Sequence, residues 1–241
     1  MTPDPIIDVA LNAEDLTERV ALWIANCVAL AGRPVSLCLS GGSTPKRLYA
    51  LLGSEGFRAA IDWTQLHIFW GDERFVPYDH PDSNYKMTHE AWLAHVPIPR
   101  DQIHPIPTDA GSPQKAAALY AKTLQNFYGA TQFDKDRPLF DINLLGIGED
   151  GHTASLFPGT IALDEREAWV TAIEGAASHP RISLTYPALG SSRTIVFLAA
   201  GKAKQTILKR VLAHDQTLPA ARIETHGRIL LYTDKDAVAE A

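Results

Sequence analysis

Asp150 and His152 stand two positions apart in the stretch Gly146-Ile147-Gly148-Glu149-Asp150-Gly151-His152-Thr153-Ala154-Ser155-Leu156-Phe157-Pro158, directly after the apolar run Phe140 to Leu145. An imidazole takes and returns a proton near neutral pH, and a glycine-rich turn lets a carboxylate and an imidazole converge on one small molecule. An arbitrary Asp-Gly-His triplet is more often a solvated surface turn. Its place at the end of a buried run, together with the other loops described below, favours acid-base chemistry. Gly146, Gly148 and Gly151 also satisfy the dinucleotide pattern G-x-G-x-x-G. Glu149 and Asp150 would repel a pyrophosphate there, and Pro158 with Gly159 ends any following helix after little more than a turn. A nicotinamide or flavin cofactor is therefore rejected, and no cofactor is expected.

Ser40-Gly41-Gly42-Ser43-Thr44-Pro45 follows another apolar run. With Thr44 as N-cap and Pro45 at the first helical position, free amides and the helix dipole would form an anion site. An ordinary strand-to-helix turn explains the loop equally well. Ser43-Thr44-Pro45-Lys46 matches S-x-x-K, but its companion motifs are absent and so is G-x-S-x-G, which argues against a serine nucleophile. Asp72-Glu73-Arg74 closes a third apolar run. It reads either as a local ion pair or as a carboxylate and a guanidinium facing a cleft. Arg181, and Lys202 and Lys204 after Gly201, add cations near element ends. No histidine has H-x-x-x-H or Cys/His spacing, so no structural or catalytic metal is expected and a side-chain base must activate water.

These residues need a scaffold. Asn12 caps a helix to about Ala31, with Leu16, Val20, Trp23, Ile24, Cys27 and Leu30 at helical spacing and Gly32 as its stop. Strand-like runs follow at Val35–Leu39, Leu66–Trp70, Phe140–Leu145, Trp169–Ile173, Ile182–Tyr186, Thr194–Ala199 and Arg228–Tyr232. Helices are expected from Pro45 through Leu52, over about Ser112–Tyr128 and over about Lys202–Ala213, and a Pro-rich connector covers Val96–Pro107. This alternation predicts one α/β domain over residues 1–241, with a largely parallel sheet and helices on both faces. Ligands bind beyond the carboxyl ends of such strands, which gathers the loops at Ser40, Asp72 and Asp150 on one rim.

At 241 residues and 46% hydrophobic, the chain can bury a core without disulfide or metal support. A net charge of −6 argues against nucleic acid as the main partner. Cys27 and Cys38 read as buried apolar fillers. With no basic n-region, h-region or long apolar run, the expectation is a soluble, cytoplasmic protein with no membrane partner, as a monomer or small homo-oligomer.

The blocks Ser40 to Pro45, Asp72-Glu73-Arg74-Phe75-Val76-Pro77 with Asp82-Ser83-Asn84, Leu145 to Pro158, Arg181 to Thr185 and Gly201 to Lys204 occur in order. Together they resemble the glucosamine-6-phosphate isomerase/6-phosphogluconolactonase family, on its lactonase side. The resemblance implies a doubly wound α/β fold similar to glucosamine-6-phosphate deaminase. It also implies cofactor-free hydrolysis of a phosphorylated sugar lactone in the oxidative pentose phosphate pathway. It assigns His152 as general base with Asp150 beside it, and Asp72 and Arg74 along the substrate. Gly41, Gly42, Ser43, Thr44, Arg181 and Lys204 would hold phosphate, the G-x-x-K spacing favouring Lys204 over Lys202. Asp150 or Asp72 would orient the imidazole. Amides of the glycine turn or Arg74 would meet the oxyanion. In the deaminases Asp-Gly-His continues to Phe-Asn-Glu-Pro, whereas Phe157 stands here where that Glu would be. The alternatives are a glucosamine-6-phosphate deaminase or a non-catalytic sugar-phosphate-binding module.

Overall fold

The computed structural model describes residues 4–238. Seven parallel strands form the main sheet in the spatial order β1 (Ile6–Ala10), β10 (Arg228–Asp234), β9 (Ser192–Ala199), β6 (Phe140–Gly146), β2 (Val35–Leu39), β3 (Leu66–Trp70) and β5 (Ile103–His104). All five residues of β2 are buried, so alternate side chains are covered on either face of the sheet. That matches the short buried strand expected at Val35–Leu39. The helices are α1 (Ala13–Ala31), α2 (Ser43–Leu52), α3 (Glu55–Ala60), α4 (Asn84–Ala91), α5 (Pro113–Tyr128), α6 (Tyr186–Gly190), α7 (Gln205–Leu212) and α8 (Lys235–Val238). The ends of α1 follow its expected caps. Asn12 accepts from the Asp15 amide, and Gly32 closes the helix at φ 62°, a left-handed conformation that favours glycine.

A second, antiparallel sheet was not anticipated. It orders β4 (Asp72–Arg74), β8 (Arg181–Leu184) and β7 (Val170–Ile173). Gly71 is the junction between the sheets: its amide donates to Leu39 O at 2.9 Å, while its carbonyl accepts from Leu184 N at 2.8 Å. Asp72-Glu73-Arg74 is thus a short strand, where a loop was expected. The run expected over Ile182–Tyr186 becomes β8 one residue earlier. It stops at Leu184 because Tyr186 opens a helix with Pro187 in its first turn.

Other elements differ from expectation as well. Ile6–Ala10 is an edge strand, only one of whose residues is buried, so it carried no periodic signal. The expected helix at Lys202 begins as a 3-10 turn over Lys202–Lys204 and becomes α-helical at Gln205. Thr44 is not an N-cap, since α2 starts at Ser43 after Gly42, which lies at φ 106° and provides no side-chain cap. Cys38 is buried as expected, and Cys27 is only half-buried. Among the described residues, no helix is long and apolar enough to cross a membrane.

Candidate functional site

The carboxyl ends of β2, β3 and β6 open into Ser40–Gly42, Gly71–Asp72 and residues 147–158, and β9 leads to Gly201–Lys204. Two buried tyrosines fix where the first two strands end. Tyr49 of α2 accepts from Ser40 N at 3.1 Å and donates to Ser40 O at 2.7 Å. Tyr120 of α5 does the same at Trp70, at 2.9 and 3.0 Å. Burial pushes both phenols above their ordinary pKa, so the donor form persists. The sequence shows two tyrosines in helical runs but nothing that marks them as strand clamps.

His152 sits on this rim. Its Nδ1 donates to Asp150 Oδ1 at 2.6 Å, and the same oxygen accepts from the His152 amide at 3.1 Å. Burial pushes the Asp150 carboxyl upward, but the two hydrogen bonds and the charge of His152 outweigh it, so the pKa lies below the usual range. The carboxylate therefore fixes the imidazole tautomer and leaves Nε2 with a free lone pair. The His152 side chain is 33% exposed, enough for water to reach it. Phe157 packs against the ring at 4.7 Å between centroids.

The turn is built tightly around this pair. A Cβ on Gly148 would fall 2.1 Å from His152 Nδ1 and 2.6 Å from Asp150 Oδ1. Gly151 lies at φ 83° and Ala154 at φ 48°, a strained conformation for a residue with a side chain. Asp72 is not the orienting carboxylate. It is buried, and its Oδ2 accepts from Ser155 Oγ at 2.7 Å, tying the histidine turn to β4.

Arg74 and Arg181 are direct partners across the β4–β8 ladder. Burial pulls the Arg181 pKa down, and the neighbouring Arg74 charge lowers it further. The Arg181 Nε is buried with no hydrogen-bond partner among the described residues. Two adjacent guanidinium groups, one with an orphaned donor, suit an anionic ligand. Arg74 itself donates to the carbonyl of Asp82. Lys204 Nζ reaches Ile147 O at 2.7 Å, beside the histidine turn, whereas Lys202 is exposed.

Glu73, expected as part of a local ion pair, is almost fully buried and pairs with no cation among the described residues. Its carboxylate accepts from the amides of Arg74, Asn84 and Tyr85 and from the Ser83 hydroxyl. Burial raises its pKa against the pull of those bonds. Asn84 in turn donates to Asp72 O at 3.0 Å, and its Oδ1 lies 2.2 Å from where a Cβ on Gly41 would stand. Glu73 and Asn84 thus lock Gly41, Asp72 and the Asp82–Tyr85 segment together. No single-residue signal marked Glu73. Only the order of the Asp72 and Asp82 blocks hinted that they meet.

The fold also brings together residues with no motif spacing. His80, Asp82 and His179 present ligand atoms within 4.8 Å of one another, beside Arg74. The Asp82 and His179 side chains meet at 3.1 Å across 97 positions of sequence.

The fold thus carries an acid-base pair at the carboxyl edge of its parallel sheet and, in the adjoining antiparallel sheet, two neighbouring guanidinium groups, one of them with an orphaned donor. A family profile described as Glucosamine-6-phosphate isomerases/6-phosphogluconolactonase matches residues 8–231. The chain belongs to that family of enzymes. A 6-phosphogluconolactonase from Synechocystis is 41% identical, covering 97% of this chain and 97% of its own length. The structure of a 6-phosphogluconolactonase from Trypanosoma cruzi superposes with a TM-score of 0.83 at 32% identity, covering 98% and 97% of the two chains. A monomeric glucosamine-6-phosphate deaminase shares the fold at a TM-score of 0.82 and 19% identity, covering 97% and 98%.

Proposed function

We propose that the chain hydrolyses 6-phospho-D-glucono-1,5-lactone to 6-phosphogluconate, a step of the oxidative pentose phosphate pathway, with His152 as general base. The observation that carries this reading is the Asp150–His152 bond in a turn that Ser155 ties to β4 and to β8, the strand that carries the orphaned donor of Arg181. One group handles protons, and the other suits an anion held at a distance. The Synechocystis relative, named a 6-phosphogluconolactonase, supports the choice of substrate.

In this reading Arg181, the free amides of α2 after Gly42 and Lys204 bind the phosphate, with Gly41 allowing close approach. His152 Nε2 takes a proton from water as the water oxygen bonds to the lactone carbonyl carbon. Amides of the glycine turn, or Arg74, meet the tetrahedral oxyanion. As the intermediate collapses, the ring C–O bond breaks and the imidazolium returns its proton to the ring oxygen. One water is consumed, and no redox partner or cofactor is required. Asp150 stabilises the imidazolium and holds its tautomer, while Asp72 keeps the turn in place through Ser155. Phe157 provides no carboxylate for amino-sugar ring opening, so nothing at the site favours deaminase chemistry.

The test is acid release from freshly made lactone, measured against its spontaneous opening. His152→Ala is expected to lose on the order of 10²- to 10⁴-fold in kcat with unchanged far-UV circular dichroism. A folded His152→Ala protein with undiminished turnover, or ammonia release from glucosamine 6-phosphate by the wild type, would overturn the reading.

A further inference from the structure

We propose that His80, Asp82 and His179 form a transition-metal site of the zinc class at the edge of the cleft. Two imidazoles and one carboxylate are the donor set that borderline-soft divalent ions prefer over magnesium or calcium. His179 Nε2 and His80 Nδ1 lie 3.1 and 3.9 Å from the same Asp82 Oδ2, and all three ligand atoms fit within 4.8 Å. Ligands about 2.0–2.2 Å from a tetrahedral zinc stand roughly 3.4 Å apart, so these separations bracket the need.

Asp82 N–H points at His80 Nδ1 from 3.1 Å, which marks that nitrogen as unprotonated, the form a metal requires. Binding exchanges this amide contact for the ion. The three side chains are half-buried to exposed, so a remaining coordination position stays open to water. Arg74 and Arg181 are nearby cations that weaken binding. Aspartate supplies the compensating negative charge.

The site has a structural consequence. Asp82 belongs to the segment whose carbonyl accepts from Arg74, and His179 lies two residues before Arg181. An ion held between them fastens the loop after β4 to the loop before β8, and so sets the spacing of the two guanidinium groups. It takes no part in proton transfer at His152.

Calorimetric titration with Zn²⁺ alone, and the visible absorption of bound Co²⁺, test the site without substrate. Wild type is expected to bind one equivalent with a tetrahedral-type cobalt spectrum. His179→Ala and Asp82→Asn should each weaken binding by about tenfold or more. The control is His67→Ala, which breaks the other close imidazole pair, His67 Nδ1 and His104 Nε2 at 3.1 Å, and should change nothing. Absence of uptake by wild type overturns the proposal, since the cluster is then a hydrogen-bonded latch only. Uptake that survives both His179→Ala and Asp82→Asn, or that disappears with His67→Ala, overturns it as well. Neither readout depends on lactone hydrolysis, so a failure here leaves the proposed activity intact.

Discussion

The two ends of the parallel sheet handle charge in opposite ways. At the amino ends of the strands, Asp141 of β6 accepts from Arg33 at 2.5 and 3.0 Å, from Arg193 at 3.3 Å and from Ser36 N at 3.0 Å. Beyond the carboxyl ends, in the small antiparallel sheet, Arg74 and Arg181 are direct ladder partners with no carboxylate in hydrogen-bond contact among the described residues, and one Arg181 donor is buried unpaired. A cavity of about 900 Å³ lies at the amino end, lined by residues between Phe133 and Gly227. A buried donor without a partner, such as Arg181 Nε, costs free energy that a ligand can recover.

The strongest way to break this comparison is at the turn itself. Gly148→Ala inserts a methyl into the space of the Asp150–His152 pair, and is expected to lower kcat by about 10²-fold or more while the amino end and overall stability change little. Steady-state kinetics beside a urea melt would decide it, and normal turnover would show that the pair is not needed as the structure holds it.

Next in size is a matched pair of arginine variants. Arg181→Ala should reduce kcat/KM for the lactone by roughly 10- to 100-fold, mainly through KM, as expected for a lost charge-assisted bond. Arg193→Ala at the other end should leave kinetics unchanged. Equal kinetic effects would erase the distinction between the two ends.

The smallest effect concerns acid stability. Burial raises the Asp141 pKa, but Arg33, Ser36 and Arg193 lower it further, so the folded value lies below the ordinary one. Its contribution is fully present above the unfolded pKa, about 3.9, and is lost as pH falls through the folded value. Asp141→Asn should destabilise the protein by about 1–2 kcal/mol at neutral pH, a modest figure because both arginines are half-exposed. Urea midpoints of the two proteins should converge in acid. A pH-independent gap would mean that packing, and not charge, accounts for the loss.

Much of the site was legible because glycine and polar blocks sit directly after apolar runs, and both signals are local. The runs Val35–Leu39, Leu66–Trp70 and Phe140–Leu145 became β2, β3 and β6, and their following loops share one rim. The small antiparallel sheet was not legible, since Asp72-Glu73-Arg74 has no strand pattern of its own and acquires one only by pairing with residues 181–183. Glu73 shows the same limit. In sequence it neighbours Arg74, but in the fold four donors on residues 74–85 claim its carboxylate.

The sequence by itself determined the parallel α/β framework, the turn that carries His152 and the family to which the chain belongs, because buried periodicity and glycine turns are written in consecutive residues. Only the tertiary structure decided that Asp150 and not Asp72 holds the imidazole, that Arg181 stands beside Arg74, and that His80 and Asp82 meet His179. Those pairings join residues distant along the chain or choose between equally plausible neighbours, and such choices are made by packing and register, which no local pattern encodes.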